Sequence, residues 1–200
     1  MGLLGGLISG AIGLATSAFG AITGAVSAVL GPFALPLITF LVTTKTGQKL
    51  IRNLLTSLGI IEKEDDEKLR ERGERVLQAA ERGVKRENFE NFDDFEKALN
   101  GFELDEEKME KRKKDEQVAA GLVYSCYELQ EKKGLDVMDA IKLSQENSEL
   151  LEKDDVSFNE LVNELTEKGL IKIRDFYAGN LSTKKTEEMD EILKKYNAKV

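Results

Sequence analysis

Apolar and polar positions follow two unlike regimes along this chain. From Met1 to Thr44 no side chain is charged, and every Lys, Arg, Asp and Glu lies further on. Within the uncharged stretch, small residues recur at Gly6, Gly10, Gly13, Ser17, Gly20, Gly24, Ser27 and Gly31, in steps that alternate between four and three. That period places them on one helical face. A second stripe with bulky side chains, Ile8, Ile12, Phe19, Ile22, Val26, Val29 and Phe33, lies on another face. Each interior glycine costs a helix in water roughly 0.5–1 kcal/mol relative to alanine, so close approach of another backbone is expected to compensate. The pattern predicts a helix from about Gly2 to Leu30, with the small face as a self-association seam. A flexible fusion-peptide-like segment is the competing reading.

Such a helix of about 28 residues would reach roughly 42 Å, enough to cross a ~30 Å hydrocarbon core with tilt. Ile8, Ile12, Phe19, Ile22 and Val26 would then face lipid or a surrounding protein wall. Gly31-Pro32 is expected to break or kink it. Phe33–Val42 is apolar but too short to span. Lys45, Lys49 and Arg52 follow before any acidic residue, as anchors at a headgroup layer. Residues 46–58 place Leu50, Ile51, Leu54, Leu55 and Leu58 on one side, as an interfacial helix does. The stretch is too long for the apolar core of a signal peptide, about 7–15 residues, and the region directly after Met1 has no Lys or Arg, so it is expected to be retained. Gly2 is present, but Gly6 stands where a myristoylation motif wants Ser or Thr.

Beyond Glu62 the pattern is helical and charged. Glu62–Arg82 has few apolar anchors and reads as a solvated connector. Asn91–Leu99 is a short helix stopped by Asn100-Gly101. A long helix is expected from Asp105 to Lys133, ending at Gly134, and another over Asp136–Gln145. Ser157 and Glu160 have capping-box spacing ahead of Phe158, Leu161, Val162 and Leu165. Gly169 ends that helix, Leu170-Ile171-Lys172-Ile173 alternates as a strand, Gly179-Asn180 turns the chain, and Thr186–Tyr196 closes it. This order over about 115–197 resembles a winged-helix domain in its third helix, wing and final helix. The expected fold class is mainly α. Its parts are a glycine-zipper segment over 1–44, a basic amphipathic helix over 45–60, a charged helical connector over 61–104, and a small helical domain with a β-wing over 105–200.

Composition narrows the chemistry. The chain has no His, a single Cys and a formal net charge of −8. Most zinc sites, His-dependent triads and disulfides within the chain are thereby removed. Cys126 reads as a small buried apolar residue. No P-loop, dinucleotide fingerprint or nucleophile elbow is present, so no catalytic residue, metal or cofactor is expected. Many winged helices bind DNA through the third helix and wing, but here Glu146, Glu149, Glu152, Asp154, Asp155, Glu160, Glu164 and Glu167 face only Lys153 in the same stretch. Phosphates would be repelled, and Lys172, Arg174, Lys184 and Lys185 are too few to reverse that.

The expectation is a non-enzymatic structural protein. It self-assembles through the Gly/Ser seam and inserts into a membrane or lines an apolar channel. The first segment resembles the glycine-rich membrane-penetrating termini of viral, phage or secretion-type assemblies. Homo-oligomerisation, a lipid or channel-wall contact, and a protein partner for the acidic C-terminal region follow. Nucleic acid is not expected, and the chain is placed at a membrane with its C-terminal region cytoplasmic or inside a particle. The alternative is a membrane-tethered winged-helix regulator.

Overall fold

Short helices joined by tight turns build the structure, a computed structural model that describes residues 20, 22–43, 47–62, 66–147, 155–170, 172–196 and 198. The described helices are α1 (22–30), α2 (Ala34–Thr43), α3 (Gly47–Ser57), α4 (Asp66–Glu81), α5 (Phe92–Asn100), α6 (Glu106–Lys111), α7 (Lys114–Lys133), α8 (Val137–Glu146), α9 (Asp155–Glu167), α10 (Ile173–Tyr177) and α11 (Thr183–Lys195), with a 3-10 turn at Arg86–Asn88. The chain divides into two units. Residues 1–45 and 65–124 form the first; residues 46–64 and 125–200 form the second. Each therefore draws on two separate stretches of sequence.

In the first unit the bulky face of α1 is core. Ile22, Val26 and Val29 are buried, as are Leu37, Ile38 and Leu41 of α2. Gly31 ends α1 at φ 80°, with its N–H on the Ser27 carbonyl at 2.9 Å. Glycine takes this left-handed turn without penalty, and Pro32 cannot continue the helix. Among the described residues no helix is long and apolar enough to cross a membrane; most of the helix expected over Gly2–Leu30 lies outside them.

The charged stretch expected as a solvated connector also carries core. Leu69, Val76, Leu77 and Ala79 of α4 are buried. The reason is a close approach of backbones between α4 and α7. A Cβ built on Gly73 would lie 1.8 Å from the Gln117 carbonyl oxygen, and one on Gly121 would lie 2.1 Å from that of Leu69. α5 packs on α4, and Arg75 donates to the carbonyls of Phe102 (2.6 Å) and Asn100 (3.1 Å), tying down the end of α5.

In the second unit α3 packs on α8 and α9. Ile51, Leu54, Leu55 and Leu58, the face expected to meet lipid, are buried in protein. The described residues contain no strand, so the expected wing is absent. Leu170 is buried after Gly169, which turns at φ 63°, and Ile173 opens α10 instead of a strand. The competing interaction is tertiary. Asp139 of α8 accepts the Arg174 backbone N–H and its Nε, both at 2.9 Å, so a carboxylate takes the donor that a sheet partner would have used. Thr183 opens α11, three residues before the Thr186 start expected for the closing helix. The capping box at Ser157 is replaced by an earlier start at Asp155, which places Ser157 inside α9.

Candidate functional site

α1 and α2 carry no charge, and their outer surface is made of small residues. Gly20, Gly24, Ala28, Pro32, Leu35, Pro36 and Thr39 are exposed. Leu35, at 52 % exposure, is the only large hydrophobic side chain so exposed among the described residues. A Cβ added at Gly20, Gly24 or Gly31 would meet nothing within 4 Å. Of the described seam positions, Gly20 and Gly24 therefore lie on the open side of the helix, while Ile22 and Val26, expected to face lipid or a wall, are covered by this chain's own side chains. Ser27 and Gly31 are half-buried. Of the expected anchors, Lys49 is exposed and Arg52 half-buried on α3. Gly6, Gly10, Gly13, Ser17, Ile8, Ile12, Phe19 and Lys45 lie outside the described residues.

Beside this surface, residues 27–32 and Lys85, Arg86 and Glu87 line an open cavity of about 380 Å³. Neither cation was singled out by periodicity, because Lys85 precedes and Arg86 opens the 3-10 turn between helices.

Sequence reasoning also missed a buried polar centre. Glu74 on α4 is wholly buried. Its Oε1 accepts from Arg112 (2.7 Å) and Gln78 (2.9 Å), and its Oε2 from Gln117 (3.0 Å). Gln78 pairs with both backbone groups of Asp105 at 2.9 Å, and Gln117 accepts from Arg70 Nε at 2.9 Å. Arg112 has extended backbone, and there the long helix expected from Asp105 divides into α6 and α7. The available signal was a glycine, Gly73, in mid-helix within a charged run, which marks close backbone approach.

Arg112 and Lys108 both donate to Glu81 at 2.6 Å. The Lys108 hydrogen bond, and after it those of Arg112, hold the Glu81 carboxyl below the usual carboxylate range against its partial desolvation. The stabilisation is complete above the unfolded-state value and is lost as pH falls through the folded one. Glu81→Gln should therefore flatten the fall in stability below about pH 4.5 and lower stability at neutral pH, as read by urea titrations across that range.

The remaining chemistry is inert or internally paired. Cys126 is fully buried and desolvation pushes its thiol well above the ordinary range, which keeps it out of thiolate chemistry. Glu164 of α9 accepts from Lys195 (2.7 Å) and Tyr196 (2.9 Å), while Glu160 and Glu167 of the same helix are exposed. No group of His, Cys, Asp and Glu suited to a metal ion occurs among the described residues. No protein-family model matches the chain, and neither a curated protein nor a solved structure does.

Proposed function

We propose that this chain is a non-enzymatic assembly component that joins other copies of itself, and an apolar surface such as a membrane or channel wall, through its uncharged N-terminal segment. The observation that carries the reading is the open face of α1, where Gly20 and Gly24 point away from the core of their own unit. In a chain that is 33 % charged, an uncharged surface of small residues with Leu35 beside it is suited to close helix contact and not to solvation. The association does not require a spanning helix. The second unit, with Glu160 and Glu167 exposed on α9, presents acidic surface to a protein partner. In this reading the chain lies at a membrane, with its acidic region on the cytoplasmic side or within a particle.

The test uses the full chain and a Gly20→Ile/Gly24→Ile variant. Both positions are open, so circular dichroism should show the variant folded. Wild type should float with phosphatidylcholine vesicles and give a crosslinked ladder, and the variant should lose the ladder. A ladder that survives both substitutions would remove the seam from the reading. Failure of wild type to float would remove the lipid contact.

A further inference from the structure

The cavity beside the turn between α1 and α2 brings together three features that the assembly reading does not use. The first is charge. Lys85 and Arg86 are adjacent in sequence and both line it, against the single acid Glu87, while residues 27–32 contribute only uncharged wall. The chain as a whole carries −8, so its general field repels anions and an anion is retained only where cations converge. The second is a hydroxyl. Thr39, Ser144 and Thr166 each donate to the carbonyl four residues back, at 2.9, 2.7 and 2.7 Å. Ser27 Oγ is buried and has no hydrogen-bond partner. A buried polar atom left in this way costs free energy that an incoming acceptor recovers. The third is shape, since about 380 Å³ is at the small end of ligand cavities and Val29, Leu30 and Pro32 supply an apolar wall.

The cations are placed differently. Arg86 is oriented by its Nη1 hydrogen bond to the Phe89 carbonyl at 2.8 Å. Lys85 pairs with Glu87 at 3.3 Å, both side chains being well exposed, and such a pair is weak enough to yield to a stronger anion.

We propose that this cavity binds a phosphate ester, with its charge on Lys85 and Arg86, the Ser27 hydroxyl donating once its rotamer turns toward the ligand, and the esterified carbon against Val29, Leu30 and Pro32. The source is either a lipid headgroup or a free phosphate ester. The site itself does not depend on the proposed membrane association, which bears only on that source.

The experiment is a titration of the full-length chain with glycerol 3-phosphate, followed by amide resonances, beside flotation on vesicles of phosphatidylcholine with and without phosphatidylglycerol. Resonances of Gly31 and of Lys85–Glu87 should shift. Lys85→Ala should weaken binding about ten-fold, and Glu87→Gln should strengthen it by roughly two- to five-fold. Ser27→Ala, a conservative change on a folded helix, should also weaken it. Flotation enhanced by phosphatidylglycerol and reduced in Lys85→Ala supports the site and makes the lipid its source. Soluble-ester binding without that enhancement supports the site with a free ester as its source. Unmoved resonances, or equal affinity in wild type and Lys85→Ala, would overturn the proposal. Flotation on phosphatidylcholine alone reports separately on membrane association.

Discussion

Gly73→Ala is expected to destabilise the first unit by about 3 kcal/mol or more. The direction opposes helix propensity, by which alanine in place of glycine in a helix interior gains roughly 0.5–1 kcal/mol. Packing decides the sign. The new Cβ would stand 1.8 Å from the Gln117 carbonyl oxygen and 2.7 Å from the Gly121 nitrogen, and both are backbone atoms of α7. Neither can rotate aside as a side-chain end could, so α4 and α7 must separate. Gly121→Ala should behave alike, since its Cβ would stand 2.1 Å from the Leu69 carbonyl oxygen on α4. Urea unfolding read by circular dichroism measures both. Gly24→Ala is the internal control, because a Cβ there meets nothing within 4 Å and the ordinary helix preference should show as a gain. If Gly73→Ala and Gly24→Ala shift the midpoint in the same direction, the backbone contact between α4 and α7 is not there.

Removing the Glu74 carboxylate should cost a similar amount. Glu74→Ala leaves the donors of Arg112, Gln78 and Gln117 without their shared acceptor in a site where Glu74 and Gln117 are fully buried. Breaking a buried charged pair from one side costs about 3–5 kcal/mol; the partial exposure of Arg112, at 20 %, places the expected loss near the lower figure. Glu74→Gln keeps an acceptor oxygen but turns an amide donor toward other donors, so about 1–2 kcal/mol is expected. Thermal melts of the two variants should rank in that order. Equal melting temperatures for wild type and Glu74→Ala would mean that the network contributes nothing net.

The two features with the largest expected effects were those hardest to read from the sequence. Elements with local punctuation were legible. α5 has Asn91 accepting the Asp94 N–H and Gly101 after its end; α8 has Asp136 accepting from Met138 and Asp139. Such caps lie within a few residues of the helices they stop. Where a distant residue decides, local pattern failed. The division between α6 and α7 at Arg112 follows from Glu74 and Glu81, more than thirty positions away. The four-residue alternation at Leu170–Ile173 lost to a carboxylate on α8, thirty-five positions from Arg174. The apolar face of α3 was visible as a face, but not what covers it, because amphipathicity is the same against protein as against lipid. For the candidate surface, the small and bulky stripes were legible as separate faces; that the bulky one closes over the chain's own core depended on packing partners no periodicity specifies. The Lys85–Arg86 pair lay in a turn, where hydrophobic period carries no information.

The interleaved division of the sequence has a consequence for how the chain is born. α3 is synthesised before residue 65, yet the helices it packs on, α8 and α9, come much later. At 5–20 residues per second, elongation from Ser57 to Val137 takes on the order of 4–16 s. Throughout that interval Ile51, Leu54 and Leu55 have no native cover, while the first unit gathers segments from both sides of them. Nascent chains stalled just past Tyr124 should therefore expose a greasy helix that calls for a holdase until the closing helices emerge.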